Sequence, residues 1–159
     1  ASLNFMLLFV AFFVYVGASE EEKATEISIS LEGITVRDIM SSPVESVSPD
    51  MNLDELKELM FRDKHRGYPV MESGKLQGMV TITDLQKVAP ERRAGTRVGE
   101  VMARELYLIA PEDEAATAMK TMNELQIRRL PVMDGGGLVG ILSREDLVRA
   151  IELCRERVH

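Results

Sequence analysis

The sequence predicts a mixed α/β fold made of two copies of one β-α-β-β-α unit, preceded by an apolar helix. Three observations carry that expectation: a gap-free internal repeat, a helical apolar face inside each copy, and a hairpin signal at the same offset in both. From Val36 to Leu85 every residue has a counterpart 62 positions later, in Val98 to Leu147, and thirteen of the fifty aligned positions are identical. The identities include Pro49/Pro111, Pro69/Pro131, Gly74/Gly136, Gly78/Gly140 and Asp84/Asp146. Their concentration in turns and at strand ends marks a duplicated supersecondary unit rather than matched composition. Copies of about sixty residues are marginal as independent folds, so the two are expected to pack on each other.

Ahead of the repeats, residues 1–18 carry no charge and run unbroken in apolar residues from Phe5 to Val16. A spanning helix needs roughly 20 apolar residues. A signal peptide, a buried core helix and the end of a transmembrane helix all fit this run. The signal-peptide reading finds a cleavage-like Val16-Gly17-Ala18, but neither an initiating Met nor a basic n-region. The end of a transmembrane helix is therefore the expectation for 1–18, with 19–33 an acidic and polar linker. Residues 34–90 form the first repeat and 96–159 the second, which closes on an extended helix.

Each repeat reads in the same order. A helical turn, Val36 to Met40 or Val98 to Met102, leads to a short strand at Val44 to Val47 or Leu106 to Ile109. Ser48-Pro49-Asp50 and Ala110-Pro111-Glu112 then supply a proline and an acid suited to a helix start. Leu53, Leu56 and Met60, and Ala115, Ala118, Met119 and Met122, fall on one helical face. Two strands follow in each copy, Tyr68 to Met71 with Leu76 to Ile82, and Leu130 to Met133 with Leu138 to Leu142. Acidic and glycine residues between these alternating runs signal hairpins. A last helix opens near Thr83-Asp84-Leu85 and at Arg144, the second running to about Arg157.

Composition narrows the function. A net charge of -7 argues against generic nucleic-acid binding, which draws on excess Lys and Arg. One cysteine, Cys154, gives neither a disulfide framework nor a cysteine metal site, and the two histidines form no HExxH. No nucleophile-base pairing is visible, so no catalytic site is expected in this stretch.

The sharpest local signal is Gly78-Met-Val-Thr81-Ile-Thr83-Asp84 with its echo Gly140-Ile-Leu-Ser143-Arg-Glu-Asp146. Each places a hydroxyl and a carboxylate three residues apart where a strand enters a helix. That is a capping-box pattern, in which the hydroxyl satisfies an orphan amide. The same geometry offers a helix N-terminus to a phosphate and a carboxylate to ribose hydroxyls. Basic pairs at the same register, His65-Arg66 and Arg128-Arg129, add charge suited to phosphate.

Together the Val-x-Asp-Ile-Met opening, the Tyr/Leu-Pro-Val-Met-Glu/Asp strand and the Gly-x-x-Thr/Ser-x-x-Asp close resemble a tandem pair of CBS domains, a Bateman module, over about Ile34 to Glu152. The resemblance implies two copies packed through their sheets about a pseudo-twofold axis, with two clefts for adenosine-containing ligands such as AMP, ADP, ATP or S-adenosylmethionine. It implies a first cleft using Thr81, Thr83 and Asp84 with Leu106, Tyr107, Ile127 and Arg128. A second would use Ser143 and Asp146 with Arg129, Arg128, Val44, Glu45, His65 and Arg66. Adenine would lie between apolar side chains near Tyr68 or Leu130. Glu145 stands where the first copy has Thr83, and Glu45 points toward the second cleft. Both would repel a polyphosphate unless paired, so the first cleft is expected to be the stronger.

The stretch from Asn4 to Glu22, apolar and then acidic, resembles the final membrane helix of archaeal site-2-type intramembrane zinc metalloproteases, several of which carry a CBS pair directly after it. That resemblance implies the C-terminal regulatory part of such a protease, with the zinc ligands and catalytic site upstream. The expected function is an adenine-nucleotide-sensing regulatory module, homodimeric through the CBS pair, membrane-anchored through 1–18 and facing the cytoplasm. The alternative is a ligand-free dimerisation module, with Thr81, Ser143 and both Asp acting as caps alone.

Overall fold

In a computed structural model, residues 31–157 are described. The apolar segment 1–18 and most of the linker 19–33 lie outside them. The elements run α1 (Val36–Ile39), α2 (Leu53–Asp63), β1 (Gly67–Glu72), β2 (Lys75–Thr81), α3 (Ile82–Gln86), a 3-10 turn (Pro90–Gly95), α4 (Val98–Val101), α5 (Ala115–Leu125), β3 (Arg129–Asp134), β4 (Gly137–Ser143) and α6 (Arg144–Arg157).

Local chemistry accounts for most of these. Helix α2 starts where the Asn52 side chain accepts the Glu55 N–H at 2.9 Å, and it buries Leu53, Leu56 and Met60. Its equivalent α5 buries Ala115, Ala118, Met119 and Met122, the face anticipated from spacing. Both helices stop at a left-handed residue, Lys64 (φ 59) and Gln126 (φ 53), which turns the chain into the hairpin. The hairpins β1-β2 and β3-β4 are antiparallel. Their two-residue turns hold Ser73-Gly74 (φ 52, 78) and Gly135-Gly136 (φ 58, 84), matching the positive-φ pairs that right-twisted hairpins favour.

Two expectations need correction. The strands read at Val44 to Val47 and Leu106 to Ile109 shrink to single parallel bridges, Val47 to Val70 and Ile109 to Val132. Pro49 and Pro111 precede the helices α2 and α5 rather than opening them. Their carbonyls accept N–H groups of Gly99 and Arg37, each 2.9 Å away, from the helical turn that begins the opposite repeat. A proline with no N–H of its own still has a carbonyl to offer, and here it anchors a neighbouring helix start.

Those hydrogen bonds belong to an exchange of arms. One core joins Leu31 and Val36 to Ile109, Ala115, Leu130, Val132, Leu142 and Leu147 of the second repeat. The other joins Val98 and Met102 to Leu53, Leu56, Tyr68, Val70 and Val80 of the first. Each repeat's opening helix is therefore buried against the other repeat, and a fully buried Val or Leu contributes about 1.5–3 kcal/mol. Past the helix the arm adds to the sheet edge. Ser41 and Ile141 exchange backbone hydrogen bonds at 2.9 and 3.1 Å, and Ala103 and Met79 do so at 2.8 and 3.0 Å. Arg37 ties the first arm further, donating from Nη2 to Glu112 Oε1 at 2.9 Å.

The close approach explains the glycine that opens the Gly-x-x-Thr/Ser-x-x-Asp motif. A Cβ on Gly78 would meet the Ala103 carbonyl oxygen at 2.5 Å, whereas one on Gly140 would meet Met40 Sδ at 2.6 Å and the Ser41 oxygen at 3.1 Å. Met40 can shift a flexible thioether; the Ala103 carbonyl is backbone and cannot yield without moving the arm. Gly78→Ala is therefore expected to cost more than Gly140→Ala, within the overpacking range of about 1–3 kcal/mol. Urea unfolding of the two variants checks the order.

Candidate functional site

Both strand-to-helix junctions form the anticipated boxes. Thr81 N–H donates to Asp84 Oδ2 at 2.9 Å, and Asp84 N–H returns to Thr81 Oγ1 at 3.4 Å. Ser143 N–H donates to Asp146 Oδ2 at 2.9 Å, and Asp146 N–H to Ser143 Oγ at 3.1 Å. The copies differ in the hydroxyl. Thr81 spends its proton on Asp84 Oδ2 at 3.1 Å, while among the described residues the Ser143 hydroxyl donates to nothing and the Ser41 hydroxyl reaches Asp146 Oδ2 at 3.5 Å. Backbone bonds from the first amide of each helix, Ile82 to the Arg66 carbonyl at 2.9 Å and Arg144 to the Arg128 carbonyl at 2.8 Å, hold each basic loop against a helix start.

Around the second box the chain encloses a cavity of about 650 Å³, within the range of small-molecule sites. Val44, Glu45, His65, Arg66, Arg129, Ser143 and Asp146 all line it, as the second-cleft expectation required. Ser41, Pro43, Lys64, Gly67, Tyr68, Pro69, Ile141, Glu145 and Arg149 complete the wall. Arg128, expected here as well, lies instead on a shallower depression with Arg144, Val148 and Glu152. The first-cleft residues Thr81, Thr83, Asp84, Leu106, Tyr107 and Ile127 do not line this cavity. Thr83 and Tyr107 are exposed, and Ile127 packs on the second core.

Electrostatics in the cavity temper the carboxylates that the sequence sets against an anion. Glu45 lies 3.8 Å from His65 Nε2. Burial pushes Arg129 below the usual guanidinium range, with Glu145 pulling it back and Arg66 and Arg128 adding to the fall. Lys64, Arg66, Arg129 and Arg149 stand against Glu45, Glu145 and Asp146, so the lining carries a slight positive excess even with His65 neutral. Among the described residues this cavity gathers around Ser143 and Asp146 rather than around Thr81 and Asp84. Apolar wall comes from Pro43, Val44, Pro69 and Ile141. Behind it, Tyr68 is buried, its ring meeting His65 edge-on at 5.6 Å, and its single hydroxyl proton is shared between the Leu59 carbonyl and Asp63 Oδ2, both at 3.4 Å. The hydrogen bond from Arg62 holds the Asp63 carboxyl below the ordinary carboxylate range. What this set can do is bind: an apolar wall, a carboxylate with one oxygen unused among the described residues, and a helix start beside several cations.

Of the residues that sequence reasoning missed, Arg149 left a signal, since it stands three and four positions after Asp146 and Glu145 on one helical face. Ser41 and Pro43 left none, because nothing in the repeat reveals that the arms are exchanged. Among the described residues no group of His, Cys, Asp and Glu is placed to hold a metal ion, and no helix is long and apolar enough to cross a membrane.

The CBS domain family matches this chain twice, over residues 36–91 and 98–153. The chain belongs to the CBS domain family, as a tandem pair. It is 34% identical over 152 residues to a zinc metalloprotease of Methanocaldococcus jannaschii, covering 96% of this chain and 42% of that protein. The chain thus spans less than half the length of that relative. It is 39% identical over 115 residues to the CBS domain-containing protein YhcV of Bacillus subtilis, covering 71% of this chain and 82% of that one. Among solved structures, CBSX2 in complex with AMP superposes with a TM-score of 0.71 at 31% identity, covering 77% of this chain and 99% of that one.

Tyr68 offers a test of the packing behind the cavity. Burial, and next the nearby Asp63 charge, push its phenol up to about 12. The unfolded phenol ionises near its ordinary value of about 10 while the folded one keeps its proton, so this group's contribution to stability is complete below pH 10 and is lost as pH rises toward 12. Ultraviolet titration is expected to show a late-ionising phenol, and Asp63→Asn to bring it down.

Proposed function

We propose that this chain is an adenine-nucleotide-sensing regulatory segment of a membrane-anchored zinc metalloprotease of the site-2 type, and that the nucleotide occupies the Ser143/Asp146 cavity. One observation carries the reading: seven residues singled out in sequence, drawn from both repeats, converge on one cavity of about 650 Å³. The AMP in the CBSX2 structure, at 31% identity, supports an adenosine-containing ligand, and the 34% identity to the Methanocaldococcus jannaschii zinc metalloprotease supports the setting. In this reading the zinc ligands and the catalytic site lie upstream of this stretch.

In this reading the adenine lies between the apolar walls by Val44 and Tyr68, Asp146 takes ribose hydroxyls, and the helix start with its cations takes phosphate. Thr81, Thr83, Asp84, Leu106, Tyr107, Ile127 and Arg128 form a second, weaker site. AMP, ADP, ATP and S-adenosylmethionine all share the adenosine that the apolar slot and carboxylate suit. Residues 1–18 anchor the chain to the membrane, with the CBS pair in the cytoplasm. Ligand changes the anchored partner only so far as it binds two arrangements unequally. The arm is the natural connection, since Ser41 touches Asp146 and the same segment leads back to residues 1–30.

A second reading, a dimerisation module without ligand, is favoured by Phe61, which stands 88% exposed beside a groove floored by Met60, Ile82 and Leu85. The same face also suits a homodimer of the nucleotide-binding form. Thermal unfolding with each of the four ligands separates the readings. A ligand at 100 times its dissociation constant adds about 2.7 kcal/mol. Stabilisation is expected with at least one of them, lost in Asp146→Ala and largely kept in Asp84→Ala. The absence of any shift with all four leaves the dimerisation reading standing.

A further inference from the structure

The repeats differ most consequentially where the pseudo-twofold axis relates the starts of their hairpins. Gly67 and Arg129 are counterparts, the first residues of β1 and β3. A Cβ placed on Gly67 would lie 3.1 Å from Arg129 Nε and 3.2 Å from its Cδ, so the arginine side chain lies across the glycine, in the space a second arginine would take. Gly67 lines the Ser143/Asp146 cavity, so symmetry alone would turn its counterpart Arg129 toward Thr81 and Asp84. The Arg129 side chain nevertheless lines the Ser143/Asp146 cavity, together with Gly67 and Glu145. One side chain has crossed the axis, and the sequence supplies no second one to replace it.

We propose that Arg129 decides which cleft receives the anionic end of a nucleotide: it gives its guanidinium to the Ser143/Asp146 cavity and withholds it from the Thr81/Asp84 cleft. This rests on the adenine-nucleotide reading above and adds to it that the clefts differ in phosphate affinity more than in nucleoside affinity. The physical reason is incomplete compensation. Arg129 is half-buried, and it answers to Glu145 on one side and to the repelling counterparts Arg66 and Arg128 on the other. A phosphate supplies the missing negative charge and suits the forked donor geometry of a guanidinium, whereas adenosine supplies neither. In the first cleft the equivalent cation is absent because position 67 is glycine, and it must be small for Arg129 to pass over it.

Calorimetric titration of the 159-residue chain with AMP and with adenosine tests this. Arg129→Met keeps the aliphatic cover on Gly67 and removes the charge. It is expected to weaken AMP by about 10- to 100-fold while adenosine changes by less than about threefold. The exchange variant Gly67→Arg/Arg129→Gly moves the side chain to the other strand. In it AMP binding is expected to depend on Asp84, so that Asp84→Asn weakens it and Asp146→Asn does not. Equal losses for AMP and adenosine in Arg129→Met overturn the proposal, as does an exchange variant whose AMP affinity still depends on Asp146. If the exchange variant does not fold, judged by its circular dichroism melt, the AMP-to-adenosine ratio in Arg129→Met decides alone. Wild-type protein that binds neither compound removes the nucleotide reading as well, a result distinct from AMP binding that ignores Arg129.

Discussion

Each hairpin of this protein is completed by a short stretch of backbone from the other repeat, and the molecule's organisation depends on that pairing. Ser41 pairs with Ile141 and Ala103 with Met79, each through two hydrogen bonds of 2.8–3.1 Å. Because the first arm runs along β4, it delivers Ser41, Pro43 and Val44 to the cavity whose other wall holds Ser143 and Asp146. The approach is so close that glycine is needed beneath it, at Gly78 and Gly140. A buried backbone edge left unpaired would be costly, so each repeat is stabilised by the arm of the other. The cavity is thus a consequence of how the two units pack on each other.

Duplication produced two similar clefts, and small departures from the repeat separated them. Gly67 opposite Arg129 lets a single long side chain occupy space that symmetry would divide. Glu145 in place of Thr83 puts a counter-charge beside that side chain, and Glu45 in place of Tyr107 faces His65 at 3.8 Å. Changes that look unfavourable for an anion one at a time form a partly compensated set when brought together in one cavity. Compensation of this kind leaves room for a ligand charge to alter the balance, which is what a sensor requires.

The repeat, the hairpins, both helical faces and the capping boxes were legible in the sequence, because each depends on local spacing or on residue types with strong backbone preferences. Seven lining residues were legible too, through the CBS resemblance together with the box and the basic pair. Exchange of the arms was not legible in the repeat itself, since a 62-residue period has the same form whether Val36 packs on its own copy or on the other; only the CBS resemblance, which set Val44 and Glu45 beside Ser143 and Asp146, implied it. The short strands near Val47 and Ile109 were overread, because a buried apolar residue in a single bridge leaves the same pattern as a strand. The setting of two carboxylates was not legible either: Glu45 and Glu145 read as isolated charges in the sequence, and their neighbours His65 and Arg129 appear only in three dimensions.

The central claim is that one ligand touches the first arm, the basic loop of the first repeat and the last helix start of the second repeat at once. Amide hydrogen exchange of the chain with and without AMP tests it most directly. Exchange is predicted to slow together in residues 41–47, 64–69 and 143–149 when AMP binds. Binding that protects only one of these segments, or only the region around Thr81 and Asp84, would contradict the account.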